Sequence, residues 1–305
     1  MRKLSSLGGT MNSHTNKSQE YHYDYSNQPF SCDMMTSPAA GNTEFHMHNR
    51  FELYYLLDGY VQYFVENVCY NMTPGSLILF SSNEIHKAIN TTNTPFSRIV
   101  IHVSPDFIKQ YCTSRTNLLT CFHRKPGEGN LVSLSDADRA HFLELAHSLK
   151  NAINGTEHYG NDILATALVL QLLVLINEAW NRTAPKTILP SPHRTQAIMN
   201  YIDSHLTDSL TLDSISSALS LDKYYLSHLF KSETESTIFQ YVLVKRVALA
   251  KTLLSQDHTV SEVCHLSGFN DYSNFIRSFK QTTGYTPGQF KKILNNHSLS
   301  GILTE

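Results

Sequence analysis

The chain has 305 residues, enough for two domains with separate cores, and 24 Lys and Arg against 26 Asp and Glu leave a formal net charge of −2. A hydrophobic content of 41% excludes a disordered or polyelectrolyte chain. The cysteines (Cys32, Cys69, Cys112, Cys121 and Cys264) form no Cys-x-x-Cys pair, which argues against a disulfide framework or a zinc finger and for a reducing cytoplasm.

The Met-Arg-Lys start lacks the apolar stretch of a signal peptide, and residues 1–28, rich in Ser, Asn, His and Tyr, read as a loose tail. From Phe45 the chain carries runs of aromatic and β-branched residues. Phe51 to Leu57, Tyr60 to Val65, Leu77 to Phe80 and Arg98 to Val103 read as short strands, with turn signals at Asp58-Gly59, Pro74-Gly75 and Ser81 to Asn83. Closely spaced short strands predict an antiparallel barrel or sandwich. After Pro105 the pattern turns helical. Ser135 is placed to cap one helix, and Asn161-Asp162 start another that runs to Trp180. The most apolar part of that second helix, Ile163 to Ile176, reads as too short to span a bilayer. It is apolar around most of its circumference, so one face is expected on its own barrel and another on a second copy of the chain; the alternative is a helix buried wholly within one chain. Pro185, Pro190 and Pro192 mark residues 181–193 as a linker between a domain at 29–180 and a helical domain at 194–295, with a tail at 296–305.

The helical domain contains one unit twice: Leu212 to Lys231, and Val260 to Lys280. Each is a short amphipathic helix, a turn and a second helix ending Phe-Lys, the arrangement that places a helix in the DNA major groove. In the first copy Leu212, Ile215 and Leu219 face Leu226, Leu229 and Phe230; in the second, Val260, Val263 and Leu266 face Phe275 and Phe279. The outer faces then carry Tyr224, Ser227 and His228, and Tyr272, Ser273, Asn274 and Arg277 with Ile276 alongside. Asn and Arg suit bidentate contacts to adenine and guanine, while Lys231 and Lys280 suit phosphates. Phe239 to Leu254, with an apolar face through Val242, Val247, Ala250 and Leu254, reads as a helix holding the copies in successive grooves about 34 Å apart. From Arg194 onward ten Lys and Arg balance ten Asp and Glu, so non-specific DNA affinity should be modest and salt-dependent.

Tyr225-Leu-Ser-His-Leu-Phe-Lys231, Arg246 to Leu254, Val263 to Phe269 and Phe279 to Phe290 together resemble the DNA-binding domain of AraC/XylS-type transcription regulators. The resemblance covers about Ile198 to Lys292. It implies base-facing positions at Tyr224, Ser227, His228, Ser273, Asn274, Ile276 and Arg277. The sequence departs from the family at Glu235, where Gly is usual and where the second copy has Gly284, at His228, where Arg is common, and at Ser278, which replaces an apolar residue.

In the barrel region His46 and His48 alternate, as on one face of a strand; Glu52 follows, and His86 is expected from a strand across the barrel. Three imidazoles and a carboxylate suit Zn, Fe, Mn or Ni. The spacing resembles the metal-binding pattern of cupins, and cupin-like barrels are the usual sensory domains of this family. The same residues therefore suit either a divalent metal or an organic effector such as a sugar. His102, His123, His141, His147 and His158 read as surface or helix residues. The expected architecture is α+β in two domains: a cupin-like antiparallel barrel with flanking helices, and an all-α domain with two helix-turn-helix motifs joined by a long helix. What the resemblance implies is a cytoplasmic, homodimeric transcription activator that binds double-stranded promoter DNA, answers to a small effector and works with RNA polymerase. It implies no enzyme and no membrane; the alternative is a metal-dependent cupin enzyme fused to a DNA-binding domain.

Overall fold

The computed structural model describes residues 28–38, 44–90, 92, 94–155, 158–182 and 193–300. The expected tail, apart from its last residue, and the expected linker, apart from its ends, lie outside the described residues.

Among the described residues, eight antiparallel strands form the N-terminal half: β1 Phe30–Ser37, β2 Phe51–Asp58, β3 Val61–Val65, β4 Val68–Met72, β5 Leu77–Phe80, β6 His86–Asn90, β7 Phe96–Val103 and β8 Leu131–Val132. They make a five-stranded sheet in the order β1-β7-β2-β5-β8 and a three-stranded sheet in the order β4-β3-β6. Side chains alternate across a strand, and strands β2 and β5 in the middle of the large sheet are buried on both faces. Phe51, Leu53 and Tyr55 of β2, with Ile99, Ile101 and Val103 of β7, face a helical layer. Tyr54, Leu56 and Val100 face the barrel interior, where they meet Tyr63, Val65 and Phe80. Two-sided burial explains why β2 reads as an almost unbroken apolar run, and it makes Glu52 and His102 inward-facing by parity.

The helical layer follows the short α1, Pro105–Lys109. Helix α2, Asp136–Asn154, begins at the expected Ser135, whose hydroxyl accepts from the Asp138 N–H in a reciprocal capping box. Helix α3, Asn161–Arg182, is long and apolar enough to cross a bilayer by length and composition, contrary to the sequence-based expectation. Its inner face is instead core: Leu168, Val169, Leu172, Leu173 and Ile176 pack with Phe142, Leu145 and Leu149 of α2. Asn177 marks the same face, accepting from Cys121 N–H (3.0 Å) and donating to Leu118 C=O (3.0 Å). A buried amide with both functions paired is a core feature of a globular fold.

The C-terminal half is helical: α4 His193–Ser204, α5 Leu212–Leu219, α6 Lys223–Thr234, α7 Ile238–Leu254, α8 Val260–Leu266, α9 Tyr272–Thr283 and α10 Pro287–Ser300. The last runs past Asn295, where the sequence pattern ends. Ile215, Leu226 and Phe230 share one core with Val263, Phe275, Phe279 and the α7 residues Val242, Val247, Ala250 and Leu254. Leu266 departs from expectation: it is 46% exposed rather than facing Phe275. Phe45, Met47, Phe64, Ile85 and Ile89 of the barrel belong to this same helical core, so the two halves share buried surface.

Candidate functional site

Glu52 on β2 pairs across the sheet with His102 on β7. Its Oε2 lies 2.7 Å from His48 Nε2, 3.3 Å from His102 Nε2 and 3.6 Å from His86 Nε2. Burial pushes the Glu52 carboxyl up, but the imidazoles of His102, His48 and His86 around it outweigh that and hold the group well below the usual carboxylate range. His48 Nδ1 donates to Arg50 C=O (3.0 Å) and His86 Nδ1 to Glu84 C=O (2.8 Å). A carbonyl only accepts, so these contacts fix the proton on Nδ1 of each neutral ring and turn Nε2 toward the carboxylate. Phe80 stacks on His86 (4.1 Å between centroids), and Tyr63 packs beside Tyr54 (4.8 Å) and Phe80 (5.0 Å), filling the barrel below the cluster.

Of the residues the sequence singles out, His48, Glu52 and His86 meet here, with two corrections. His46 and His48 are not on a common strand: His46 makes an isolated bridge to His86, and His48 lies in the irregular segment before the Asn49–Arg50 bend and β2. The His46 ring rests on that of His86 (4.3 Å) with Nδ1 on Glu44 C=O, beside the carboxylate cluster rather than in it. His102, read as a surface residue, is the member that sequence reasoning missed. Together His48, Glu52 and His102 bring three ligand atoms within 4.8 Å of one another, a donor set that fits a borderline divalent cation. The available signal was the alternation in Arg98-Ile-Val-Ile-His-Val103, which puts His102 opposite in face to Ile99, Ile101 and Val103.

The segments that carry these histidines are two-sided. Between His46 and His48, Phe45 and Met47 turn outward into the helical core, and Phe45 meets Tyr241 of α7 edge-to-face at 5.1 Å. On β6, His86 faces the cluster while the next residue, Lys87, donates to Ser236 Oγ (2.9 Å) in the turn before α7. Burial pushes the Lys87 ammonium down to about 8, against the attraction of Glu235 and Glu44. Lys245 of α7 bridges Glu66 of the barrel (2.7 Å) and Asp203 of α4 (2.9 Å). Burial alone would lower its pKa, but the two carboxylates raise it above the ordinary lysine value.

In the helical half, α6 and α9 each start at an aspartate cap. Asp222 Oδ1 accepts from Tyr224 N (2.9 Å) and Tyr225 N (3.0 Å), and Asp271 caps α9 through Asn274 N. On α6, Tyr224 is 77% exposed, His228 and Lys231 are exposed, and Ser227 is half-buried. Tyr225 is held by Arg194, which donates to its hydroxyl and lies over its ring. On α9, Tyr272, Ser273, Asn274, Arg277 and Lys280 are exposed, while Ile276 packs against the core. Asn274 Oδ1 accepts from Arg277 Nη2 (3.1 Å) and from the otherwise buried Ser278 Oγ (3.3 Å). The donors of Arg277 and the amide of Asn274 are thus held side by side on one helix face, an arrangement suited to adjacent base edges.

Residues 39–173 match the family model of an AraC-like ligand-binding domain, and residues 215–293 that of a helix-turn-helix domain. The arabinose operon regulatory protein of Escherichia coli strain K12 is 32% identical over 221 residues, 72% of each chain. An uncharacterised HTH-type transcriptional regulator of Bacillus subtilis strain 168 is 22% identical over 272 residues, 87% of this chain and 92% of the other. Among solved structures, ToxT from Vibrio cholerae O395 aligns with a TM-score of 0.38 and 16% identity, over 88% of this chain and 100% of that one. The chain belongs to the AraC/XylS-type family of transcription regulators, with an N-terminal AraC-like ligand-binding domain and a C-terminal helix-turn-helix DNA-binding domain.

Proposed function

We propose that this regulator is a cytoplasmic transcription activator whose promoter binding is set by a small ligand at the His48–Glu52–His86–His102 cluster. The observation that carries the reading is the two-sidedness of Phe45–His48 and His86–Lys87. A ligand that moves these histidines must also move Phe45 and Lys87 against α7, the helix between the two DNA-reading units. The rings of Tyr54, Tyr63 and Phe80 beneath the cluster favour a compact polar ligand over a carbohydrate. Helix α3 leaves Ile163, Leu164 and Val174 exposed on its outer face, which supports pairing of two copies there and bound DNA half-sites for RNA polymerase to meet. Dimerisation also supplies affinity that the balanced charge of the DNA-binding half does not.

Selection of bound duplexes from a random pool with the full chain, at fixed salt, tests the reading. A site with two major-groove half-sites is expected. Retention of no sequence above the non-specific background at low salt would overturn it.

A further inference from the structure

The geometry of the barrel cluster goes beyond a polar pocket. With Nδ1 of His48 and His86 each committed as donor to a backbone carbonyl, neutral rings present lone pairs at Nε2. Those nitrogens lie 2.7 and 3.6 Å from a carboxylate oxygen that also has only lone pairs to offer. His86 is 1% exposed and its Nε2 has no hydrogen-bond partner. Acceptors converging in a buried space require positive charge among them. One proton would satisfy one nitrogen. A metal ion satisfies all of them at once, and backbone carbonyls holding Nδ1–H are the outer contacts that orient metal-binding histidines.

We propose that Glu52, His48, His86 and His102 bind one divalent transition-metal ion, of the Zn(II), Fe(II) or Ni(II) class, and that this ion is the signal passed to the DNA-binding domain. Three imidazoles and one carboxylate select borderline cations over Mg(II) and Ca(II). The ligand set differs from the sequence-derived one by exchanging His46 for His102, because Glu52 and His102 are cross-strand partners with Nε2 and Oε2 3.3 Å apart, whereas the His46 ring packs on that of His86 and its Nδ1 is held by Glu44 C=O. Drawing His48 and His86 onto one ion shifts the backbone that carries Met47 and Lys87, and with it the contacts on α7. This second part rests on the regulator reading above; the metal site itself does not.

The test is titration of the chelator-treated full chain with Zn(II), Ni(II) and, without oxygen, Fe(II), followed by calorimetry, with Mg(II) as the hard-cation control. Co(II) provides a visible absorption signature of nitrogen and oxygen coordination. One ion per chain is expected. Glu52→Gln and His102→Gln should each weaken binding by about tenfold or more, while His46→Gln should stay within about threefold of the parent. Thermal melts of the metal-free variants separate ligand loss from unfolding, and the Co(II) spectrum separates the two ligand sets in any variant that folds. No binding by the parent chain, or binding weakened by His46→Gln and not by His102→Gln, overturns the metal site. Binding that leaves affinity for the selected duplex unchanged overturns the signalling role. Failure of the regulator reading is distinguishable: the duplex would then not be retained with or without metal.

Discussion

The two helix-turn-helix copies share a hydrogen-bond scaffold more closely than they share residues. Thr211 and Thr259 cap α5 and α8 in reciprocal boxes with Ser214 and Glu262. Thr234 and Thr283, both buried, close α6 and α9 by donating to Phe230 C=O (2.7 Å) and Phe279 C=O (2.8 Å). Thr237 and Thr286 then cap α7 and α10 through Gln240 and Gln289. The copies part at the left-handed positions, where Ser220 (φ 53°) and Glu235 (φ 53°) in the first correspond to Gly268 (φ 85°) and Gly284 (φ 80°) in the second. The backbone path of the unit therefore outlasts the residues best suited to it, and the first copy bears a steric cost at each such position. The reading faces diverge in the same direction. Copy two aligns Asn274 with Arg277, whereas copy one presents Tyr224 and His228, with Arg194 drawn aside onto Tyr225.

The largest expected effect comes from Gly268→Ala. A Cβ there would lie 2.7 Å from Leu206 C=O and 2.9 Å from Arg246 Nε, in a left-handed conformation that already disfavours a side chain. Arg246 cannot yield easily, since it donates to both Leu206 C=O (2.9 Å) and Asp208 C=O (2.8 Å) and so ties the α4–α5 connection to α7. Strain and clash together should cost about 3 kcal/mol, read as a lower midpoint in chemical denaturation. A loss under about 1 kcal/mol would mean that this joint is soft and that copy two is not the better-anchored unit.

Next is Arg277→Ala, which should lose about 1–3 kcal/mol of discrimination at one base position in competition binding with single-base variants of the selected site. His228→Ala, at the corresponding surface of copy one, should change sequence preference by less than about 1 kcal/mol. The reverse order would make copy one the principal reader. Gly284→Ala comes third. Its φ is close to that of Gly268, but nothing lies within 4 Å of the added Cβ, so only the conformational cost of about 1 kcal/mol applies. The pair Gly268 and Gly284 thus separates close approach from backbone angle.

The duplicated unit was legible because its signals are local: an apolar period of 3.6 and Phe-Lys at matching positions. The barrel was legible only where one strand carried its own pattern, as in β2. Strand β1, with Ser31, Asp33 and Thr36 among its apolar residues, and β4, with Asn71, did not stand out as strands. At the cluster, His48, Glu52 and His86 could be grouped from spacing. His102 could not, because its place depends on the pairing of β2 with β7, a contact between segments some fifty residues apart in sequence. Parity alone put it inside, but parity acquires a direction only once the helical layer fixes which face of the sheet is outward. The shared burial of Phe45 with Tyr241 was hidden for the same reason.

The smallest effect isolates what the first copy lost. Ser220 ends α5 at φ 53° and ψ 42°, with its N–H bonded to Ser216 and Ser217 carbonyls and its side chain exposed. Ser220→Gly removes no packing and keeps those backbone hydrogen bonds, so the folded state gains the relief of the left-handed strain. Part of that gain is offset by the larger entropy of glycine in the unfolded chain. The balance should be a stabilisation of about 0.5–1 kcal/mol in the same denaturation experiment. Glu235→Gly should gain less than Ser220→Gly, although its φ is the same. The Glu235 carboxylate attracts the Lys87 ammonium across the interface, so removing it gives up electrostatic energy as it relieves the backbone. Equal gains at the two positions would show that Glu235 contributes nothing to the interface. A smaller gain at Glu235 would mark it as a residue that trades an easier turn in copy one for contact with the barrel.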